Sequence, residues 1–120
     1  MSFAEDSSQE TVRAMINPDG TQRVNMLGGS YFFRPKHIIV KLGVPVEISI
    51  HKEWGIVPHT FVLKLPEWGV MIEESLDSEP KTITFTPTTP GIFTFYCRNK
   101  LLFFKSHREK GMEGTIEVVP

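Results

Sequence analysis

Short stretches of alternating apolar and polar residues, cut at close intervals by glycine and proline, constrain this chain more than any other feature. Ile38, Val40 and Leu42 alternate with Ile39 and Lys41 and stop at Gly43, and Val46, Ile48 and Ile50 alternate with Glu47 and Ser49. Successive side chains of a strand point to opposite faces, so each stretch reads as a strand with one buried and one wet face. His59, Phe61 and Leu63 share a face just after Pro58. Ile83 and Phe85 alternate with Thr82, Thr84 and Thr86. Phe93, Phe95 and Cys97 point one way while Thr94 and Tyr96 point the other, and Ile116 and Val118 flank Glu117. No segment carries the 3.6-residue period of an amphipathic helix of ordinary length.

The breaks between strands are as informative. Asn17-Pro18-Asp19-Gly20, Gly28-Gly29-Ser30 and Pro90-Gly91 are turn sequences, because glycine and proline supply backbone angles that strands cannot use. Thr21 to Leu27 lies between the first two as another short strand. Residues 65–80, with Pro66, Gly69, Pro80 and the acids Glu73, Glu74, Asp77 and Glu79, read as a solvated acidic loop. Residues 1–10 read as a flexible N-terminal segment and 11–120 as a single domain. About seven to eight short strands with such turns imply an all-β fold, an antiparallel Greek-key β-sandwich.

A length of 120 residues suffices for one modest core. Thirteen basic residues against fourteen acidic ones leave a net charge of −1, without the basic excess of a general nucleic-acid binder. No apolar run approaches the ~18 residues of a membrane span. The opening Met1-Ser2-Phe3-Ala4-Glu5-Asp6 has neither the basic start nor the apolar stretch of a signal peptide. The chain is then either cytosolic or, as expected here, periplasmic or extracytoplasmic, its signal segment having been cut away.

The single cysteine, Cys97, excludes an intramolecular disulfide. A lone cysteine is commonly just a small buried apolar residue, but the neighbours of this one follow a telling order. A strand ends in Cys97, a loop carries His107 and Met112, and another strand follows at once; far upstream, His59 opens a strand after a proline. Thiolate, two imidazoles and a thioether form a soft donor set. Two His and one Cys in a trigonal plane with a long axial Met is the blue-copper arrangement. Such a centre changes oxidation state with little movement.

Several segments bear a resemblance to the cupredoxin family. Val57-Pro58-His59-Thr60-Phe61 looks like the family's first-histidine motif. Pro90-Gly91-Ile92-Phe93-Thr94-Phe95-Tyr96-Cys97 is similar to its aromatic strand ending in cysteine, and Gly111-Met112-Glu113-Gly114-Thr115-Ile116-Glu117-Val118 resembles its closing strand. Phe33 to Val46 resembles the early strands, so the likeness spans roughly residues 31–119. It implies a cupredoxin-like sandwich holding one copper ion per chain through His59, Cys97, His107 and Met112. It also implies an electron-transfer role without substrate chemistry, and a redox protein partner such as a cytochrome or oxidase. Copper buffering or delivery is the alternative, as is a copper site with an open position for a small molecule.

One departure stands out. Nine residues, 98–106, separate Cys97 from His107, where the family usually has only a few. An insertion that bulges outward and returns His107 to the site accounts for them, and leaves room for a relaxed geometry or an added ligand. The binuclear copper domains of cytochrome oxidase also have a long loop here, but they need a second cysteine. Within the insertion, Leu101, Leu102, Phe103 and Phe104 are either a plug under the loop or an exposed patch for docking a partner. Arg98, Lys100, Lys105, Arg108 and Lys110 form a basic rim around them. His37 and His51 read as bystanders, His51 with Glu53 making too small a set to hold a second metal. Trp54 and Trp68 read as core or loop packing, or as apolar lining of the site.

Overall fold

The computed structural model describes residues 10–100 and 104–120. The alternation resolves into two sheets packed face to face. Eleven strands are present among the described residues: β1 (Thr11–Arg13), β2 (Met15–Ile16), β3 (Gln22–Gly29), β4 (Phe32–Arg34), β5 (His37–Lys41), β6 (Val46–Lys52), β7 (Thr60–Leu65), β8 (Val70–Ser75), β9 (Lys81–Phe85), β10 (Gly91–Tyr96) and β11 (Glu113–Val119). One sheet runs β1-β5-β11-β10-β7-β8. The other runs β2-β3-β6-β9, with β4 also paired to β3. The all-β sandwich read from the alternation is the architecture found.

The pairing is mixed rather than wholly antiparallel. β3 and β6, β5 and β11, and β1 and β5 are parallel pairs. Parallel neighbours require a crossover connection. Between β3 and β6 the chain supplies one by crossing to the opposite sheet at β5 and returning. The strand count exceeds the expectation because several strands are only two or three residues long.

Residues 70–75 correct the reading of 65–80 as a solvated loop. Pro66–Trp68 forms one 3-10 turn, Gly69 closes it in the left-handed region at φ 69°, and the chain returns as β8 along the whole of β7. β8 is an edge strand. Its outward positions are Met71, Glu73 and Ser75 and its half-buried ones Val70, Ile72 and Glu74, so acidic residues on both sides obscure the alternation. Charged side chains on an edge also oppose pairing with another chain.

The core lies between the sheets. Phe33, Phe61 and Phe95, all at most 2% exposed, meet at its centre with ring centroids 5.2–5.9 Å apart. Strand periodicity places Phe61 two residues from His59 and Phe95 two residues from Cys97. The aromatic cluster therefore underlies the end of the sandwich where those residues emerge. Gly114, opposite Phe95 in the ladder, is required by close approach: a Cβ there would lie 2.2 Å from the Lys36 carbonyl oxygen.

Candidate metal centre

Three strands end or begin at one end of the sandwich. β7 starts at Thr60 with His59 immediately before it, β10 ends at Tyr96 with Cys97 immediately after, and β11 starts at Glu113 just past Met112. Because β10 is antiparallel to both β7 and β11, these flanking residues converge. The ladder is extended by one bond, the Cys97 amide donating to the Met112 carbonyl at 3.1 Å.

The insertion delivers His107 by closing at its neck. The His107 amide donates to the Asn99 carbonyl at 2.8 Å, and the Met112 amide donates to the His107 carbonyl at 3.0 Å. Between them runs a tight turn started by a reciprocal cap. The Ser106 amide donates to the Glu109 carboxylate at 3.0 Å, and the Glu109 amide donates to Ser106 Oγ at 3.1 Å. The Ser-x-x-Glu spacing at 106–109 is the sequence signature of such a cap, and it was available in the sequence as a sign of how His107 is held.

The donor atoms of His59, Cys97 and His107 all lie within 4.8 Å of one another. Among the described residues this is the only such group of His, Cys, Asp or Glu. His59 Nδ1 is 3.2 Å from His107 Nδ1, and Cys97 Sγ is 3.6 Å from His107 Nδ1. A metal at about 2.0 Å from nitrogen and about 2.3 Å from sulfur, with trigonal angles, would set the nitrogens ~3.5 Å apart and each ~3.7 Å from sulfur. The two edges that meet at His107 match that triangle to within a few tenths of an ångström and the third lies within 4.8 Å, so the residues present fit a three-coordinate metal. A soft N2S donor set of this shape is the kind that suits copper. Met112 is fully buried in the same core as Cys97 and is tied by its backbone to both Cys97 and His107.

The four side chains are 0–6% exposed, yet the sulfur has two polar partners. The Thr60 amide donates to Cys97 Sγ at 3.4 Å, and the thiol donates to Asn99 Oδ1 at 3.3 Å. Burial, the neighbouring His107 and the Lys52 ammonium push His59 down to about 4, with Glu53 opposing. Burial and then Lys110 push His107 down as well. Both imidazoles are therefore neutral at pH 7, the form in which histidine binds metal. On its outer side His59 Nε2 lies 3.3 Å from Ser30 Oγ. The Tyr31 ring covers His107 at a centroid distance of 4.6 Å, with Lys110 Nζ 4.2 Å above the tyrosine ring.

His107 also contributes to the wall of a cleft of about 460 Å³ bordered by Tyr31, Ile56, Pro58, Phe104 and three lysines, Lys100, Lys105 and Lys110. Phe104 is 62% exposed; Leu101, Leu102 and Phe103 lie outside the described residues. The basic rim is partly neutralised. Arg98 approaches Glu73 at 3.7 Å, and Arg108 pairs with Glu113 at 2.8 Å while lying over the Tyr96 ring.

The remaining candidates fall elsewhere. His37 is bonded to the Thr115 hydroxyl, and neither it nor His51 and Glu53 joins a metal-ligating group. Trp68 packs against Phe93 and Phe85. Trp54 neither packs nor lines the site: it is 93% exposed on the loop after β6. Ser30, Tyr31 and Asn99, which touch the cluster, carry no sequence signal of their own, because tertiary folding alone brings them there.

No family profile and no curated protein matches the chain. Solved structures do. The metal-binding domain of the Cu(I)-exporting P-type ATPase CopA of Streptococcus pneumoniae D39 is 25% identical, covering 92% of this chain and 96% of that one with a TM-score of 0.68. Reduced auracyanin from Roseiflexus castenholzii is 17% identical, covering 82% of this chain and 97% of that one at a TM-score of 0.63. The periplasmic domain of cytochrome oxidase subunit II (CoxB) of Bradyrhizobium japonicum is 17% identical, covering 88% of each at a TM-score of 0.60. The chain has the cupredoxin fold, with a His-Cys-His cluster at the end of its sandwich.

Proposed function

We propose that this chain is an extracytoplasmic electron-transfer protein that would hold one copper ion through His59, Cys97 and His107, with Met112 as a weak fourth donor. The observation that carries the reading is the convergence of two neutral imidazoles and a thiol on one point with metal-binding spacing. Copper in such a centre supplies a one-electron couple.

The chain's own residues account for the rest. Cys97 would supply the sulfur ligand, and the Thr60 amide donates to that sulfur. The ligand side chains themselves are almost wholly buried, which limits the access of water to them. His107 forms part of the cleft wall, so electrons enter and leave at its edge. Exposed Phe104 and Ile56, with lysines around them, suit a redox protein partner such as a cytochrome or oxidase. The periplasmic placement of the CoxB domain supports the location. No helix among the described residues is long and apolar enough to cross a membrane.

The likeness to the CopA metal-binding domain, at 25% identity, favours copper buffering or delivery as a second reading. Rapid-mixing kinetics separate the two. An electron carrier exchanges electrons with a small redox reagent far faster than it surrenders Cu(I) to a chelator. Fast loss of Cu(I) with sluggish electron exchange would instead make the chain a copper handler.

A further inference from the structure

The end of β3 supplies no candidate ligand, yet it touches the site at three places. Ser30 Oγ stands 3.3 Å from the outer nitrogen of His59. The Tyr31 ring lies 4.6 Å from the His107 ring. A Cβ on Gly28 would come within 2.9 Å of a Leu76 methyl and would stand 3.4 Å from the Met112 methyl, so glycine lets this segment pack closely beside that methionine. The segment is itself anchored. The Glu53 amide donates to the Gly28 carbonyl at 2.9 Å, and Glu53 Oε1 accepts the Ser30 amide at 3.1 Å. In sequence Gly28-Gly29-Ser30 reads only as a break between strands.

We infer that the Gly28–Tyr31 segment, locked by Glu53, is the positioning element of the metal centre: Ser30 sets the tautomer and ring angle of His59, and Tyr31 holds the His107 ring. The chemistry follows from the two nitrogens of imidazole. With His59 Nδ1 turned toward His107 and the cluster, its proton resides on Nε2 and is donated to Ser30 Oγ. A neutral imidazole ligates through the nitrogen without the proton, so the hydrogen bond on the other nitrogen selects the ligating form. Tyr31, with Lys110 on its ring, limits rotation of His107 at the end of its insertion. Ser30 and Tyr31 are exposed and half-buried respectively, so replacing them leaves the core intact.

The inference rests on the copper reading for its consequence but has a readout that needs no metal. Long-range nitrogen–proton correlation spectra of the metal-free full chain report which imidazole nitrogen carries the proton. The wild type should show His59 protonated at Nε2. Ser30→Ala should give a mixture of tautomers, and Ser30→Thr should restore the single form. With Cu(II) and a competing chelator, Ser30→Ala and Tyr31→Ala should each weaken binding about 10–100-fold, as loss of a ligand's outer partner does. Tyr31→Phe, which keeps the ring, should bind as the wild type does. An unchanged His59 tautomer in Ser30→Ala overturns the role of Ser30, and equal affinity in Tyr31→Ala overturns that of Tyr31. A wild type without any thiolate–copper band would sink the copper reading, while the tautomer spectra would still decide the inference.

Discussion

Phe95→Ala tests whether the aromatic cluster supports the metal centre. Phe95 is fully buried and stands 5.2 Å from both Phe33 and Phe61, stacked on one and edge-on to the other. Truncating a buried phenylalanine costs about 3–5 kcal/mol, and each lost aromatic pair removes a further ~0.5–1.5 kcal/mol beyond burial. The upper part of the first range, about 4–5 kcal/mol, is therefore expected. A domain of this size has a total stability on the order of 6–18 kcal/mol, so the variant should fold but be marginal. With a urea slope of about 2 kcal/mol per molar, the midpoint should fall by roughly 2 M. Cys97 is two residues along the same face and is held by its bond to Met112, so copper should also leave the variant faster. Phe95→Leu, closer in volume, should lose less than about 1.5 kcal/mol. A midpoint shift below about 0.5 M for Phe95→Ala would refute the packing account.

Three further outcomes follow from the geometry. Gly114→Ala would drive a Cβ against the Lys36 carbonyl at 2.2 Å and the Phe95 ring at 2.4 Å. It should cost about 1–3 kcal/mol by overpacking, read as a lower midpoint in chemical denaturation. Met112→Leu should keep bound copper and move the reduction potential upward, since a donor to Cu(II) is lost; voltammetry of the loaded variant checks this, and complete loss of copper would contradict it. For the metal-free chain, His59 takes up its proton near pH 4 when folded and near 6.5 when unfolded. Between those values the unfolded chain binds more protons. Stability should therefore be full above about pH 6.5 and decline as pH falls toward 4, and His59→Gln should flatten that decline in denaturation curves taken across the window.

The legible parts of the fold were those where one face is dry and the other wet. β5, β6, β9 and β11 alternate cleanly, and their buried positions are those the period selects. β8 was not legible, because its half-buried side includes Glu74 and its outer side includes Met71. β1 and β2 are too short to show a period, and β1 exists only through its parallel register with β5. Parallel pairing is a matter of crossovers between sheets, which local patterns do not encode. At the site, donor chemistry and strand order pointed to His59, Cys97 and His107, and these do converge. The partners of those residues were not legible: Ser30, Tyr31 and Asn99 act through distances that depend on the whole sandwich. The insertion shows both sides of this. The Ser-x-x-Glu spacing at 106–109 is a local cap signature that the reading of this stretch as an outward bulge missed, whereas the Asn99–His107 bond that closes the neck has no local signature.

The most direct test of the central claim is the pair of absorption and paramagnetic-resonance spectra of the full chain with one equivalent of Cu(II), recorded beside Cys97→Ser. A trigonal thiolate site predicts an intense sulfur-to-copper charge-transfer band in the visible and narrow copper hyperfine splitting, both lost in Cys97→Ser even where weak Cu(II) binding persists. A wild type lacking that band, or a Cys97→Ser variant retaining it, would contradict the assignment of His59, Cys97 and His107 as a copper centre.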